Sequence, residues 1–110
     1  MAISFDKIGE VCATFYGDAQ KDDIVTISSN NTVSKAASGS GVAGVCVDSH
    51  NGKCTVAVKG FVTLGYSGTI TFGRQTVVCD GNNAVKVAEA GTSVLVVSVD
   101  TASKTIVALI

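Results

Sequence analysis

The chain of 110 residues contains no proline, no tryptophan and a single histidine, and only 15% of its residues are charged. Its eight Lys and Arg residues are scattered. Without a basic stripe to follow a phosphate backbone, the sequence argues against nucleic-acid binding. No apolar run approaches the ~20 residues that a membrane-spanning helix needs. One histidine and four cysteines with no C-x-x-C pair give poor support for a zinc site. The sequence therefore predicts no cofactor, metal, nucleic-acid partner or membrane partner.

The residues that are present favour β-structure. Hydrophobic residues make up 46% of the chain, supplied mainly by valine and alanine, and 12 glycines punctuate it. Valine and threonine favour pleated strands. The composition is typical of an all-β domain, and its low charge suits a surface partly covered by neighbouring molecules. Acidic and basic residues within "MAISFDKIGEVC" interrupt what a signal peptide would need as an apolar stretch, so we expect the protein to be cytoplasmic when made.

Alternating segments predict the strands, among them "DDIVTISS", "TITF", "RQTVVCDG", "TSVLVVSVD" and "TIVALI". Asn51-Gly52 is the strongest short hairpin signal, and a two-residue turn pairs His50 with Lys53. Continued without interruption, that register puts Cys46 and Cys54 on opposite faces, which argues against a disulfide between them. We expect the four cysteines to be reduced, as isolated small hydrophobes are in a cytoplasmic protein.

The second half of the chain repeats the first. Adding 52 to each position from 24 to 58 aligns it without a gap to residues 76–110, and ten of the 35 aligned positions are identical. Each copy reads as strand, Asn-Asn turn, short strand, glycine linker, strand, hairpin turn and strand. A unit of about 35 residues cannot bury enough surface alone. We therefore predict that the two halves close one shared small barrel or sandwich, a single β domain over residues 21–110.

Residues 1–20 precede this repeat and are predicted to form an extended N-terminal arm. A short helical turn is an alternative, because apolar residues recur at three- and four-residue spacing in "FDKIGEVCATF". Gly9 weakens that alternative.

Catalytic patterns are weak, and we predict that the protein is not an enzyme. His50 has no nucleophile elbow or equivalent to work with. The glycine-rich stretch at residues 39–44 lacks the Lys and Ser/Thr of a phosphate-binding loop, so it is interpreted as a linker between strands. Asp48 and Asp100, aligned by the repeat, are interpreted as turn caps in preference to calcium ligands.

The order of segments resembles the small β-rich decoration, or cement, proteins of tailed bacteriophage and prophage capsids. The resemblance rests on "GDAQKDDIVTIS", "GVAGVCV", "VAVKGFVTLGYSG", "VCDGNNAVKVA", "LVVSVD" and the terminal "TIVALI", and it covers nearly all of the chain after Phe15. It implies a structural virion protein on the capsid exterior. Such a protein binds the major capsid protein as a homotrimer at or near three-fold axes and stabilises the expanded head.

Two stretches outside the repeat are the candidates for capsid or subunit contact: the arm and the joint "GFVTLGYSG". Their contact residues are predicted to be Ile3, Phe5, Ile8, Phe15, Tyr16, Phe61 and Tyr66. Packing of the arm on its own domain, and burial of the joint in the core, are the alternatives. Other functions left open are a head-fibre base, a head–tail joining or tail-tube protein, and a small ligand-binding β module.

Overall fold

The computed structural model of the protein describes residues 11–110, and over that range it confirms the predicted all-β class. No helix long and apolar enough to cross a membrane occurs among these residues. The ten strands are β1 (Val11–Tyr16), β2 (Ile24–Ser29), β3 (Thr32–Lys35), β4 (Gly44–His50), β5 (Lys53–Lys59), β6 (Phe61–Tyr66), β7 (Gly73–Cys79), β8 (Ala84–Val87), β9 (Thr92–Asp100) and β10 (Thr105–Leu109).

The strands form two closed five-stranded barrels with the same topology. The first barrel runs in the order β1-β3-β2-β4-β5 and the second in the order β10-β6-β8-β7-β9. In each, the first and third strands are parallel and all other neighbours are antiparallel. The chain passes from one barrel to the other at Gly60, whose φ of 117° requires glycine. Two pseudo-repeated β units, as predicted, build the fold.

Each repeat closes its own barrel, so the two halves do not share one as expected. The reason is a fifth strand that the 35-residue repeat leaves out. β1 closes the first sheet, because Tyr16 pairs with Thr32 of β3 on one side and with Lys53 of β5 on the other. β6 does the same in the second barrel. The described part of the predicted arm is therefore a barrel strand and not a helical turn. Residues 1–10 lie outside the described residues.

The predicted turns are confirmed. Asn51 and Gly52 both adopt positive φ, 52° and 75°, as the two-residue hairpin turn between β4 and β5 demands. Asn31 and Asn83, the second residues of the two Asn-Asn pairs, lie at φ 55° and 57°. Asparagine tolerates this left-handed conformation better than other non-glycine residues. The repeated phrase thus marks the same turn in each barrel.

A β-bulge overturns the expected separation of Cys46 and Cys54. His50 pairs with Lys53 as predicted, but the register shifts between Cys46 and Asp48, which leaves Cys46 opposite Val56. The extra residue in β4 moves each preceding side chain of that strand to the opposite face of the sheet. Both thiols consequently lie fully buried in one cluster inside the first barrel. The members of this first-barrel cluster are Ala19, Val25, Val33, Cys46, Cys54 and Val56.

The strand pairing also corrects the gapless alignment. The offset of 52 holds for the second and third strands, where the pair Val25 and Lys35 corresponds to Val77 and Val87. It fails for β4 and β9, because four residues separate β9 from β10 and only two separate β4 from β5. Asp100 therefore occupies the place of His50, not that of Asp48.

The barrels pack through a larger shared cluster of apolar side chains. The first barrel contributes residues on the outer face of its sheet, such as Ile24, Val45 and Ala57, and the second contributes its own interior. The segment between β3 and β4 adds backbone pairing: Gly39 N donates to Cys79 O, and Cys79 N donates to Ser40 O, each at 2.8 Å. The start of β4 and the middle of β5 are thus buried on both faces.

Candidate functional site

Much of the joint between the barrels is buried in the core. Tyr66 is only 6% exposed and belongs to the shared cluster, together with Val62 and Leu64 of the same strand. The Lys104 ammonium lies 4.9 Å from the centre of the Tyr66 ring, a cation–π contact. Phe61 is half-buried at the start of β6. The alternative interpretation of this tract, burial in the core, is what the structure shows for Tyr66.

The other predicted contact residues divide between core and surface. Phe15 is half-buried and packs against the first-barrel cluster. Tyr16, next to it on β1, is 59% exposed. Ile3, Phe5 and Ile8 lie outside the described residues. Tyr16 is therefore the predicted contact residue that the structure places at the surface.

Sequence reasoning missed the most exposed large apolar side chain described, Phe72, which is 69% exposed. It lies in "TITF", which was predicted to be a strand and is a loop between β6 and β7. Ten residues separate Gly65 from Thr76, whereas seven separate the corresponding Tyr16 from Ile24. These three extra residues indicate an additional loop before β7. The comparison is possible only once β1 and β6 are known to correspond.

The loop that carries Phe72 is held at several points. Ile70 is 7% exposed and anchors it in the shared cluster. Gln75 Nε2 donates to Thr71 Oγ1 at 2.8 Å and to Thr71 O at 3.3 Å. Lys104 Nζ donates to Gly68 O at 3.1 Å. An exposed aromatic ring on a loop fixed in this way loses little conformational entropy on binding, which favours its use as an interface anchor.

A shallow groove lies at one end of the first barrel, beside Tyr16. Its volume is about 260 Å³. The end of β1, the turn before β3 and the start of β5 form its walls. The lining residues are Thr14, Phe15, Tyr16, Asn31 and Lys53. The groove combines two aromatic rings with one ammonium group and one carboxamide, so it suits a ligand with apolar and anionic parts.

The glycine-rich segment at residues 39–44 is a linker, as interpreted from its sequence. Its amides already donate within the protein: Val42 N to Thr92 Oγ1 at 2.9 Å, and Ala43 N to Val25 O at 2.9 Å. Backbone N–H groups that are committed in this way cannot cradle a phosphate.

Asp100 caps the turn after β9, as an aspartate at the end of a strand predicted. Its Oδ1 accepts from Ala102 N at 3.0 Å and from Ser103 N at 3.2 Å, and the Ser103 N–H lowers the pKa of this carboxyl. Asp48 Oδ1 accepts from Ser49 N. Exposed His50 Nε2 lies 3.0 Å from Asn51 Nδ2, within hydrogen-bond distance. Between residues 11 and 110 no three His, Cys, Asp or Glu side chains gather as a metal site.

Two buried cysteines, Cys46 and Cys79, are held as neutral thiols. Burial and then the neighbouring Cys54 raise the pKa of Cys46 to about 11. Burial likewise raises the pKa of Cys79. No disulfide forms within the described part of the chain. Since the thiolate is the reactive form, these cysteines act as packing residues and not as nucleophiles.

Comparison with known proteins adds no family. No protein-family model matches the sequence, and no curated protein matches it.

Proposed function

We propose that this chain is a structural protein of a tailed-phage virion. It binds the outer surface of the capsid as a homotrimer near three-fold axes, through contacts with the major capsid protein, and stabilises the expanded head. The proposal starts from the sequence resemblance to capsid decoration proteins, which spans nearly the whole chain after Phe15.

The strongest structural support for the proposal is the exposed Phe72 ring on its anchored loop. A ring that is 69% exposed, on a loop anchored by Ile70 and by the Gln75 side chain, is costly to leave in water. Aromatic anchors on rigid supports are typical of protein–protein interfaces. Tyr16, 59% exposed on β1, gives the first barrel a ring of the same kind. In a trimer each modest contact is reinforced by the other two through effective concentration.

The arm contributes a second contact in this proposal. β1 is an integral barrel strand that begins at Val11, so a deletion that tests the arm must stop at residue 10. Removing residues 2–10 leaves the described residues 11–110 intact and deletes Ile3, Phe5 and Ile8. A longer deletion into β1 would open the first barrel and confuse loss of contact with loss of folding.

The test is to mix the purified protein with expanded and unexpanded heads of the major capsid protein from the same genome, and to image them by electron cryomicroscopy. We expect added density near the three-fold axes of expanded heads only. Density at the tail vertex would instead support a joining or fibre-base function, and no density on either head would overturn the proposal.

Two variants locate the contact. Phe72→Ser should weaken capsid binding at least tenfold, because hot-spot aromatics cost about 2 kcal/mol or more when truncated. Val87→Ser is the matched control, since Val87 is also an exposed apolar residue of the second barrel, 46% exposed, but lies on β8. Binding that is unchanged by Phe72→Ser, in a variant that keeps its β circular dichroism, would remove Phe72 from the contact.

A further inference from the structure

One carboxamide of the second barrel contacts the backbone of the first. Asn83 Oδ1 accepts from the backbone N–H of Ile24 at 2.8 Å, and Asn83 Nδ2 donates to the backbone carbonyl of Asp22 at 3.3 Å. One side chain thus contacts both the donor and the acceptor of a chain segment that enters β2. Such a contact recognises backbone and is indifferent to the side chains that the segment carries.

The contacted segment, residues 22–24, is acidic, and a lysine lies beside it. Asp23 stands between the two contacted residues. Its carboxylate lies 3.9 Å from the Lys35 ammonium. Lys35 belongs to the first barrel itself, so an ammonium of the segment's own barrel meets the carboxylate, while the second barrel supplies the carboxamide.

Asn31 occupies in the first barrel the place that Asn83 has in the second. Each is the second residue of its turn-forming Asn-Asn pair and has nearly the same φ, 55° against 57°. Each precedes the residue paired with the end of the barrel's first strand, Thr32 with Tyr16 and Ala84 with Gly65. The Asn31 carboxamide, however, is exposed and makes no side-chain hydrogen bond to any residue between 11 and 110.

The surroundings of Asn31 supply the remaining parts of such a contact. It lines the groove of about 260 Å³ together with Tyr16 and Lys53. The second barrel has Gly65 and Thr105 at these two places. The ring and the ammonium group therefore belong to the first barrel alone. Among the described residues, Lys53 is the one charged residue that lines the groove, which favours an anionic ligand.

We propose that this groove binds an extended, acidic peptide segment of a partner protein. Asn31 clamps the backbone of the segment as Asn83 clamps residues 22–24, Lys53 pairs with a carboxylate, and the Tyr16 ring covers an apolar side chain. The carboxamide contact repeats the one that Asn83 makes between the two barrels, and the lysine–carboxylate pair repeats the Asp23–Lys35 pair within the first barrel. It stands independently of the capsid role, since the partner need not be a capsid protein.

The experiment titrates the ¹⁵N-labelled full chain with the acetylated and amidated peptide Lys-Asp-Asp-Ile-Val-Thr, the sequence of residues 21–26, and follows amide shifts. We expect saturable shifts at Thr14, Tyr16, Asn31 and Lys53, with a dissociation constant near the millimolar range. The same peptide with both Asp replaced by Asn should bind about threefold to tenfold more weakly, because it loses its partner for Lys53.

Asn31→Gly keeps the positive φ and removes the carboxamide, so it tests the clamp without straining the turn. We expect it to weaken binding by about tenfold, the worth of one to two hydrogen bonds. Lys53→Gln should weaken binding by a similar factor, and Lys86→Gln, an exposed lysine on β8, should leave it unchanged. Absence of shifts at millimolar peptide, shifts confined to another surface, or full binding by a folded Asn31→Gly variant would each overturn the inference.

Discussion

Replacing Asn83 with Gly should destabilise the protein, while the same change at Asn31 should not. The two residues share a turn type and a φ of 55–57°, so glycine fits both backbones equally. Glycine also raises the entropy of the unfolded chain equally at the two sites. The difference between the two variants therefore isolates what the Asn83 carboxamide contributes.

The magnitude follows from the groups that Asn83→Gly leaves without a partner. Ile24 is 2% exposed, and its N–H loses an acceptor at 2.8 Å. A buried donor without a partner costs about 1–3 kcal/mol. The bond to Asp22 is long, at 3.3 Å, and exposed, so it adds about 0.5 kcal/mol at most. We expect Asn83→Gly to be about 2 kcal/mol less stable than Asn31→Gly, a difference in Tm of roughly 8 °C for a chain of this size.

Urea unfolding followed by circular dichroism measures this difference. With equal m-values, the shift in midpoint reports the change in the free energy of unfolding. We expect Asn31→Gly to lie within about 1 kcal/mol of the wild type, the range of the glycine entropy effect. Equal losses in the two variants would refute the reasoning, because they would show that the clamp between the barrels adds nothing to stability.

Three further outcomes follow from packing and titration. Gly44→Ala places a Cβ 2.3 Å from the Ala57 carbonyl oxygen and should cost about 2 kcal/mol or more in urea unfolding, whereas Gly65→Ala, with its nearest atom at 3.4 Å, should be tolerated. Phe72→Ser should change the free energy of unfolding by less than about 0.5 kcal/mol, because the ring is exposed; a larger loss would assign the ring to the fold. The raised pKa of Cys46, about 11, means that the folded state holds this proton more tightly than the unfolded state, so its contribution to stability is complete below pH 9 and declines towards pH 11. A Cys46→Val variant measured across that range should show a smaller decline, and an identical pH profile would contradict the assignment.

Local chemistry made much of the fold predictable. Asn51-Gly52 fixed a hairpin because two successive positive φ values are accessible to few other dipeptides. The Asn-Asn pairs marked equivalent turns for the same reason. The offset of 52 identified the second and third strands of each repeat, since no insertion falls between them.

The candidate site was far less predictable. Tyr66 and Phe72 are aromatic residues six positions apart, and the sequence named Tyr66 as a candidate contact residue, with burial as the alternative, and did not single out Phe72. Tyr66 is buried because its strand closes the second barrel against the shared cluster. Phe72 is exposed because three extra residues turn its segment into a loop. Alternation of apolar and polar residues in "TITF" describes a strand equally well, so periodicity alone could not decide.

The sequence by itself determined most of the strands, the turns and the duplication, because each depends on backbone preferences and on a spacing of few residues. Only the tertiary structure decided how the halves close. Whether β1 completes its own barrel depends on pairing between Tyr16 and residues 16 and 37 positions away. The face of the sheet on which Cys46 lies depends on one bulge residue that no local sequence preference predicts. Asn31 is exposed, whereas Asn83 hydrogen-bonds to the backbone of the other barrel. Their roles differ because two copies of one turn meet different surroundings, which the shared Asn-Asn pair cannot encode.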